Sequence, residues 1–366
     1  MNRDRGLARR IVDSSEPDVF IDGEKRYDLR TEEGIAGFLE AQGAEPALRE
    51  RLARLLGEQW EDGRDEVAQL IQVYVQAERG ERRMERVVFS GHSNGEMIWG
   101  DDNGVIGLEL LEVLAELFPG AASQVRDLMF SACYTGGERA ILRYRKMFPK
   151  IESIWAYSAS SPGVWTGAQD HLRIWEKATE LSPPAQLEKA LAAGTRKGEN
   201  VAVWTLQGGY QGENPLRLED AEAALEADEA LFQQYLQGDQ EVGDPQSCPL
   251  RNYYRLIQQT LSLAELSADR MEELKERRDV TLRLLFYGLV REKFAAAYRE
   301  PIEAGYAEAR LPMPAYATLP REAALTQVAA FAAPGATAGS NSREALRLLT
   351  QGLRDLDPEV IPVTWV

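Results

Sequence analysis

The chain has 366 residues, 44% of them hydrophobic and 28% charged, which is enough to build a large packed core and excludes a disordered, collagen-like or miniature fold. Its 59 acidic residues outnumber 42 basic ones, giving a formal charge of −17 that repels phosphate backbones and anionic lipid, so neither nucleic acid nor a membrane is an expected partner. With two His and two Cys in all, repeated zinc fingers and disulfide frameworks are out of reach, and imidazole or thiolate chemistry must draw on His92, His171, Cys133 and Cys248.

The first twenty residues carry basic side chains but no apolar stretch of the kind a secretory signal needs. No run elsewhere reaches the roughly 20 apolar residues of a membrane span. The expectation is a soluble, cytoplasmic protein with reduced cysteines. Val19 to Leu29 reads as two short extended segments around an Asp22-Gly23 turn. Helical patterns fill residues 31–80, with Val67, Leu70, Ile71, Tyr74 and Val75 at helical spacing, and a Glu/Arg-rich connector follows.

From Val87 the texture changes to short apolar runs closed by small or polar residues: Val87 to Phe89, Leu128 to Phe130, Ile154 to Tyr157 and Val201 to Trp204. Such runs suit strands buried on both faces. Leu110, Leu111, Leu114, Leu117 and Phe118 form one helical stripe between the first two, and Glu138 to Phe148 forms a second helix before the third. Strand, helix, strand, helix, strand is the order of a parallel sheet with right-handed crossovers. The fold class expected is therefore α/β, with a mostly parallel sheet flanked by helices.

Residues 1–212 form the expected α/β domain, with its core at 86–206, and residues 213–366 a mainly helical C-terminal region. In that region helices are expected at 219–237, at 262–300 behind a Ser262-x-x-Glu265 capping-box pattern, and at 343–356. A Pro-spaced stretch at 311–320 and an Ala/Gly/Ser linker at 331–342 separate the last two. None of these segments carries recognisable chemistry.

Ligands of open α/β sheets gather beyond the carboxyl ends of the strands. Two of the four scarce side chains fall there. The first strand runs into Ser90-Gly91-His92-Ser93-Asn94-Gly95 and the second into Ser131-Ala132-Cys133-Tyr134-Thr135-Gly136-Gly137. If the strands are neighbours, imidazole and thiol emerge side by side, and the glycines let a substrate carbonyl approach backbone N–H groups that can hold an oxyanion. No metal or organic cofactor is needed for such a site.

A hydrophobic strand ending in Ser-Gly-His, paired with a later one ending in Ser-Ala-Cys, resembles the caspase-like cysteine peptidases. The bacterial CHAT peptidases are most similar, since they too follow the histidine loop with an acidic Gly-containing turn and a Leu-rich helix, here WGDDNGVIGLELLEVLAEL. The resemblance covers Val87 to Ser161 and implies a caspase-like fold. It implies His92 as general base and acid, Cys133 as nucleophile, and the amides of Ser93 and Cys133 as oxyanion donors. It also places Ser131, and the strand end Ser158, Ala159, Ser160 and Ser161, along the substrate. The implied partner is a protein or peptide substrate, with an activating or inhibitory protein as a further candidate. Most of the family has Gly where this chain has Ser93.

Two rival functions carry sequence support of their own. Gly91-His92-Ser93-Asn94-Gly95 matches the G-x-S-x-G elbow of serine α/β-hydrolases, with His171 as the available later histidine. That fold requires a helix after the elbow, and GEMIWGDDNG is too rich in Gly and Asp to give one. The other rival is a catalytically silent caspase-like module that binds a partner. His171 otherwise reads as a surface or helix-start residue and Cys248 as a loop cysteine. Asp101 and Asp102 read as turn residues. They, or Asp22, can alternatively supply negative charge to a pocket for a basic side chain.

Overall fold

A computed structural model describes residues 18–59, 63–100, 105–192, 200–212, 217–237, 239–243, 247–297, 299–313 and 339–354. The first seventeen residues, Asp101 and Asp102, and most of the Pro-spaced stretch and the linker lie outside the described residues. The chain divides into two units, Met1–Pro215 with Ser262–Ala264, and Leu216–Leu261 with Glu265–Val366.

The first unit opens with a hairpin, β1 (Val19–Asp22) and β2 (Lys25–Asp28), turning at Gly23. Three helices follow, α1 (Glu32–Ala41), α2 (Pro46–Gly57) and α3 (Arg64–Glu78). Thr31 caps α1 by accepting from Gly34 N at 3.0 Å. Thr31→Ala is expected to cost about 1 kcal/mol of stability, the usual loss of an N-cap, read as a lower midpoint in urea unfolding.

The four apolar runs form strands as expected. They are β3 (Arg86–Ser90), β7 (Asp127–Ser131), β8 (Ser153–Tyr157) and β9 (Val201–Thr205), and β10 (Gly209–Gly212) completes a five-stranded sheet of order β10-β9-β8-β7-β3. Between β3 and β7 the chain makes a small antiparallel sheet of β4 (His92–Ser93), β5 (Met97–Trp99) and β6 (Val105–Gly107). It then forms α4 (Leu108–Leu117) and the short α5 (Pro119–Ala122). Helix α6 (Glu138–Met147) joins β7 to β8, and α7 (Gln169–Leu181) with α8 (Pro184–Ala192) joins β8 to β9.

The large sheet is mixed rather than mostly parallel. β3, β7 and β8 are parallel, whereas β9 runs antiparallel to β8, and β10 to β9. A single crossover helix returns the chain to the edge where a strand began, but two helices broken at Ser182-Pro183 bring it back to the edge where β8 ended. Period-two alternation then buries both faces. Leu128, Phe130, Ile154, Ala156 and Trp204 join one core with Leu111, Leu114, Ile141 and Tyr144. Met129, Trp155, Tyr157, Val201 and Val203 join the other with Trp175, Ala178, Leu187 and Leu191 of α7 and α8.

Charged residues close the amino ends of the parallel strands. Ser153 Oγ donates to Asp127 Oδ1 at 2.7 Å, and buried Arg86 lies 4.8 Å over the Trp175 ring while donating to the Glu176 carbonyl at 3.1 Å.

The second unit is helical, with α9 (Leu218–Ala227), α10 (Glu229–Gln237), α11 (Pro249–Leu261), α12 (Ala268–Ala297), α13 (Arg299–Ala309) and α14 (Ser340–Arg354). Three details differ from the sequence reading. Residues 219–237 split into two helices at Asp228, and α11 is an additional helix. Ser262 does not cap α12: Ser267 does, accepting from Arg270 N at 3.3 Å, while Ser262 is itself part of the first unit and its carbonyl accepts from Arg139 N there. Arg277 of α12 holds α10 and α11 together, pairing with Glu229, donating to Tyr253 Oη at 2.9 Å and lying over Phe232. Among the described residues no helix is long and apolar enough to cross a membrane.

Candidate functional site

The parallel pairing of β3 with β7 runs from Arg86 opposite Asp127 to Ser90 opposite Ser131. Each strand then extends two residues to a reactive side chain, His92 on one and Cys133 on the other. Gly91 N donates to the Ser131 carbonyl at 3.3 Å, continuing the pairing beyond the strand ends. The register therefore brings the two candidate catalytic residues to adjacent positions at the carboxyl edge of the sheet.

His92 is exposed and opens β4, which pairs antiparallel with β5 so that His92 stands opposite Trp99. Their ring centroids lie 6.1 Å apart at 33°. The next turn is tied by its own side chains: Ser93 Oγ accepts from Gly95 N at 2.9 Å, and Asn94 Oδ1 accepts from Glu96 N and Met97 N at 3.0 Å each. Gly95 has φ +90°, open to glycine, and a Cβ there would lie 3.0 Å from the Tyr134 carbonyl. The histidine and cysteine loops thus pack against each other.

The cysteine loop is gripped from several sides. Tyr134 takes a left-handed backbone, φ 58°, and donates its N–H to the Ala159 carbonyl at 2.9 Å. Gly136 N donates to the Tyr157 carbonyl at 2.9 Å. Tyr144 Oη donates to the Thr135 carbonyl at 3.1 Å and Tyr210 Oη to the Gly136 carbonyl at 3.0 Å. Burial pushes both phenols up, Tyr210 to about 12 with the neighbouring Glu138 charge assisting, so both remain protonated donors at neutral pH. The half-buried Cys133 Sγ accepts from Ser161 N at 3.3 Å and lies 3.5 Å from Ser161 Oγ.

The segment beyond β8 reaches the same place. The Ala159 carbonyl receives the Tyr134 N–H, and Asn200, at φ 57°, straps its neighbours. The Asn200 carbonyl accepts from Ser158 N at 2.8 Å and Ser158 Oγ at 3.2 Å, and its Nδ2 donates to the Ser160 carbonyl at 3.1 Å. Ser158, Ala159 and Ser160 are therefore assembled beside Cys133, and Ser131 contributes its carbonyl to Gly91. Asp22 ends β1 of the hairpin, and its carboxylate accepts from Gln72 of α3 at 3.3 Å.

Sequence reasoning missed Asn200 and Trp99, and it reached Ser161 only as the end of the substrate-lining segment. Only Trp99 had a readable signal, since Met97 to Trp99 and Val105 to Gly107 flank Asn103-Gly104, a hairpin dipeptide. Ser93 is followed by that hairpin and not by a helix, and its buried hydroxyl is engaged by Gly95. His171 belongs to the first turn of α7 but is not on the surface. It is 3% exposed, with Nδ1 2.8 Å from Tyr157 Oη and its ring against Trp155. Cys248 is a loop residue, buried just before α11, where its carbonyl accepts from Arg251 N. Among the described residues no group of three His, Cys, Asp or Glu could hold a metal.

Comparison of the chain with protein-family models, curated proteins and solved structures finds no match.

Proposed function

We propose that this chain is a caspase-like cysteine peptidase that cleaves a protein or peptide by acyl transfer. One observation carries the reading: Ser90 and Ser131 are paired in register on adjacent parallel strands, and His92 and Cys133 each follow by two residues. Burial of both sheet faces and the close packing of the two loops at Gly95 and Tyr134 support it further.

In this mechanism the Cys133 sulfur attacks the scissile carbonyl, forming a C–S bond as the carbonyl electrons move to oxygen. The amides of Ser93 and Cys133 hold that oxyanion. His92 takes the thiol proton as the sulfur attacks and passes it to the leaving amine as the C–N bond breaks; it then takes a proton from the water that attacks the thioester and returns it to the sulfur as the acid product leaves Cys133. Ser158, Ala159 and Ser160 line the bound peptide.

The test is selective covalent labelling of the wild type and Ser93→Ala by a panel of peptidyl acyloxymethyl ketones and by a fluorophosphonate. Ketone labelling in both proteins, with no fluorophosphonate adduct, is expected. Fluorophosphonate labelling that Ser93→Ala abolishes would instead make the chain a serine hydrolase.

A further inference from the structure

We propose that Ser161 is a positioning residue that holds the Cys133 thiol in a resting orientation, turned onto the Ser158–Ser161 segment rather than toward His92. The inference rests on the reading of His92 and Cys133 as a catalytic pair. Among the described residues, the hydrogen-bond partners of the sulfur are the Ser161 amide at 3.3 Å and the Ser161 hydroxyl at 3.5 Å. A thiol has one proton to give: where Cys133 is the donor to Ser161 Oγ that proton is not directed at the imidazole, and where the Ser161 hydroxyl is the donor it holds the sulfur on the same side.

The contact is built into the loops on both sides. Tyr134, next to the nucleophile, is tied to the Ala159 carbonyl, two residues before Ser161, and Asn200 fixes Ser158 and Ser160 from the other side. The sulfur and Ser161 are therefore held together by their flanking backbone and not by their own contact alone. A peptide docking along this segment competes for the Ser161 N–H and hydroxyl, and the thiol is released to His92 as the substrate arrives. Occupancy of the substrate segment and readiness of the nucleophile are thereby coupled.

The experiment measures alkylation of Cys133 by iodoacetamide at one fixed pH, followed by peptide mass, in Ser161→Ala and Ser161→Thr, each with His92 intact and with His92→Ala. Removing the hydroxyl is expected to accelerate alkylation about two- to tenfold, the worth of one hydrogen bond. Threonine should restore the slow rate, and the gain should vanish without His92. Ser161→Gly, which also keeps the amide and removes the hydroxyl, gives the same reading if alanine disturbs the loop.

An unchanged or slower rate overturns the proposal. So does a gain that persists undiminished in the His92→Ala background, since Ser161 would then only shield the sulfur. Alkylation requires no peptide cleavage, so this inference can fail while Cys133 still hydrolyses peptides, and loss of the peptidase reading appears separately in the ketone labelling.

Discussion

Cys133→Ala is expected to abolish peptide hydrolysis and ketone labelling, and His92→Ala to slow hydrolysis by about 10²–10⁴, the contribution of a positioned general acid and base. In the proposed mechanism the two losses differ because the residues do different work. Without Cys133 no bond can form to the substrate carbon, whereas without His92 the sulfur remains but the leaving amine must find its proton in water. The Cys133→Ala/His92→Ala double variant should be no worse than Cys133→Ala alone, because residues acting as one unit are not additive. Hydrolysis of fluorogenic peptides, with folding checked by urea unfolding, provides the measurement. Activity surviving in Cys133→Ala would remove the thiol from the reaction.

The second large effect is on stability. Gly136→Ala would place a Cβ 2.8 Å from the Tyr157 backbone and 2.8 Å from the Ala202 side chain, closer than real Cβ atoms come. Glycine-to-alanine changes at tolerant positions gain about 0.4–1 kcal/mol through the unfolded chain, and overpacking in a filled core costs about 1–3 kcal/mol. Here the second term wins, because Gly136 is buried between β8 and β9 and its N–H is bonded to the Tyr157 carbonyl. The expected outcome is a net loss of about 1–2 kcal/mol in urea unfolding. A slower ketone reaction should accompany it, since the same strand contact anchors the Cys133 loop. Unchanged or increased stability would contradict the tight seat.

How much of this was legible depended on the range of the interactions. The four strands of the core were readable because each is an apolar run buried on both faces, and the paired placement of His92 and Cys133 followed from strand order alone. The reversal of β9 was not readable from its own residues, which suit either direction. The signal lay instead in the Ser182-Pro183 break that makes two helices of one connection. Ser262-x-x-Glu265 matched a capping box locally, yet the helix starts after Ser267, since tertiary contacts and not the motif set the boundary. His171 read as a surface or helix-start residue, and only the second half holds, because a lone histidine among polar neighbours carries no burial signal. Its place is set by Tyr157 and Trp155, 14 and 16 residues before it on β8, across a turn that its own neighbours do not announce. Asn200 was invisible for a similar reason, as its role is a contact with a loop 40 residues away in sequence, and Ser161 was readable as part of the substrate-lining segment but not as a partner of Cys133, 28 residues before it.

Peptide mapping of the ketone-treated protein tests the central claim most directly. The expected result is a single adduct on Cys133, formed much more slowly in His92→Ala. An adduct on Cys248 or Ser93, or no adduct from any ketone on the folded chain, would contradict it.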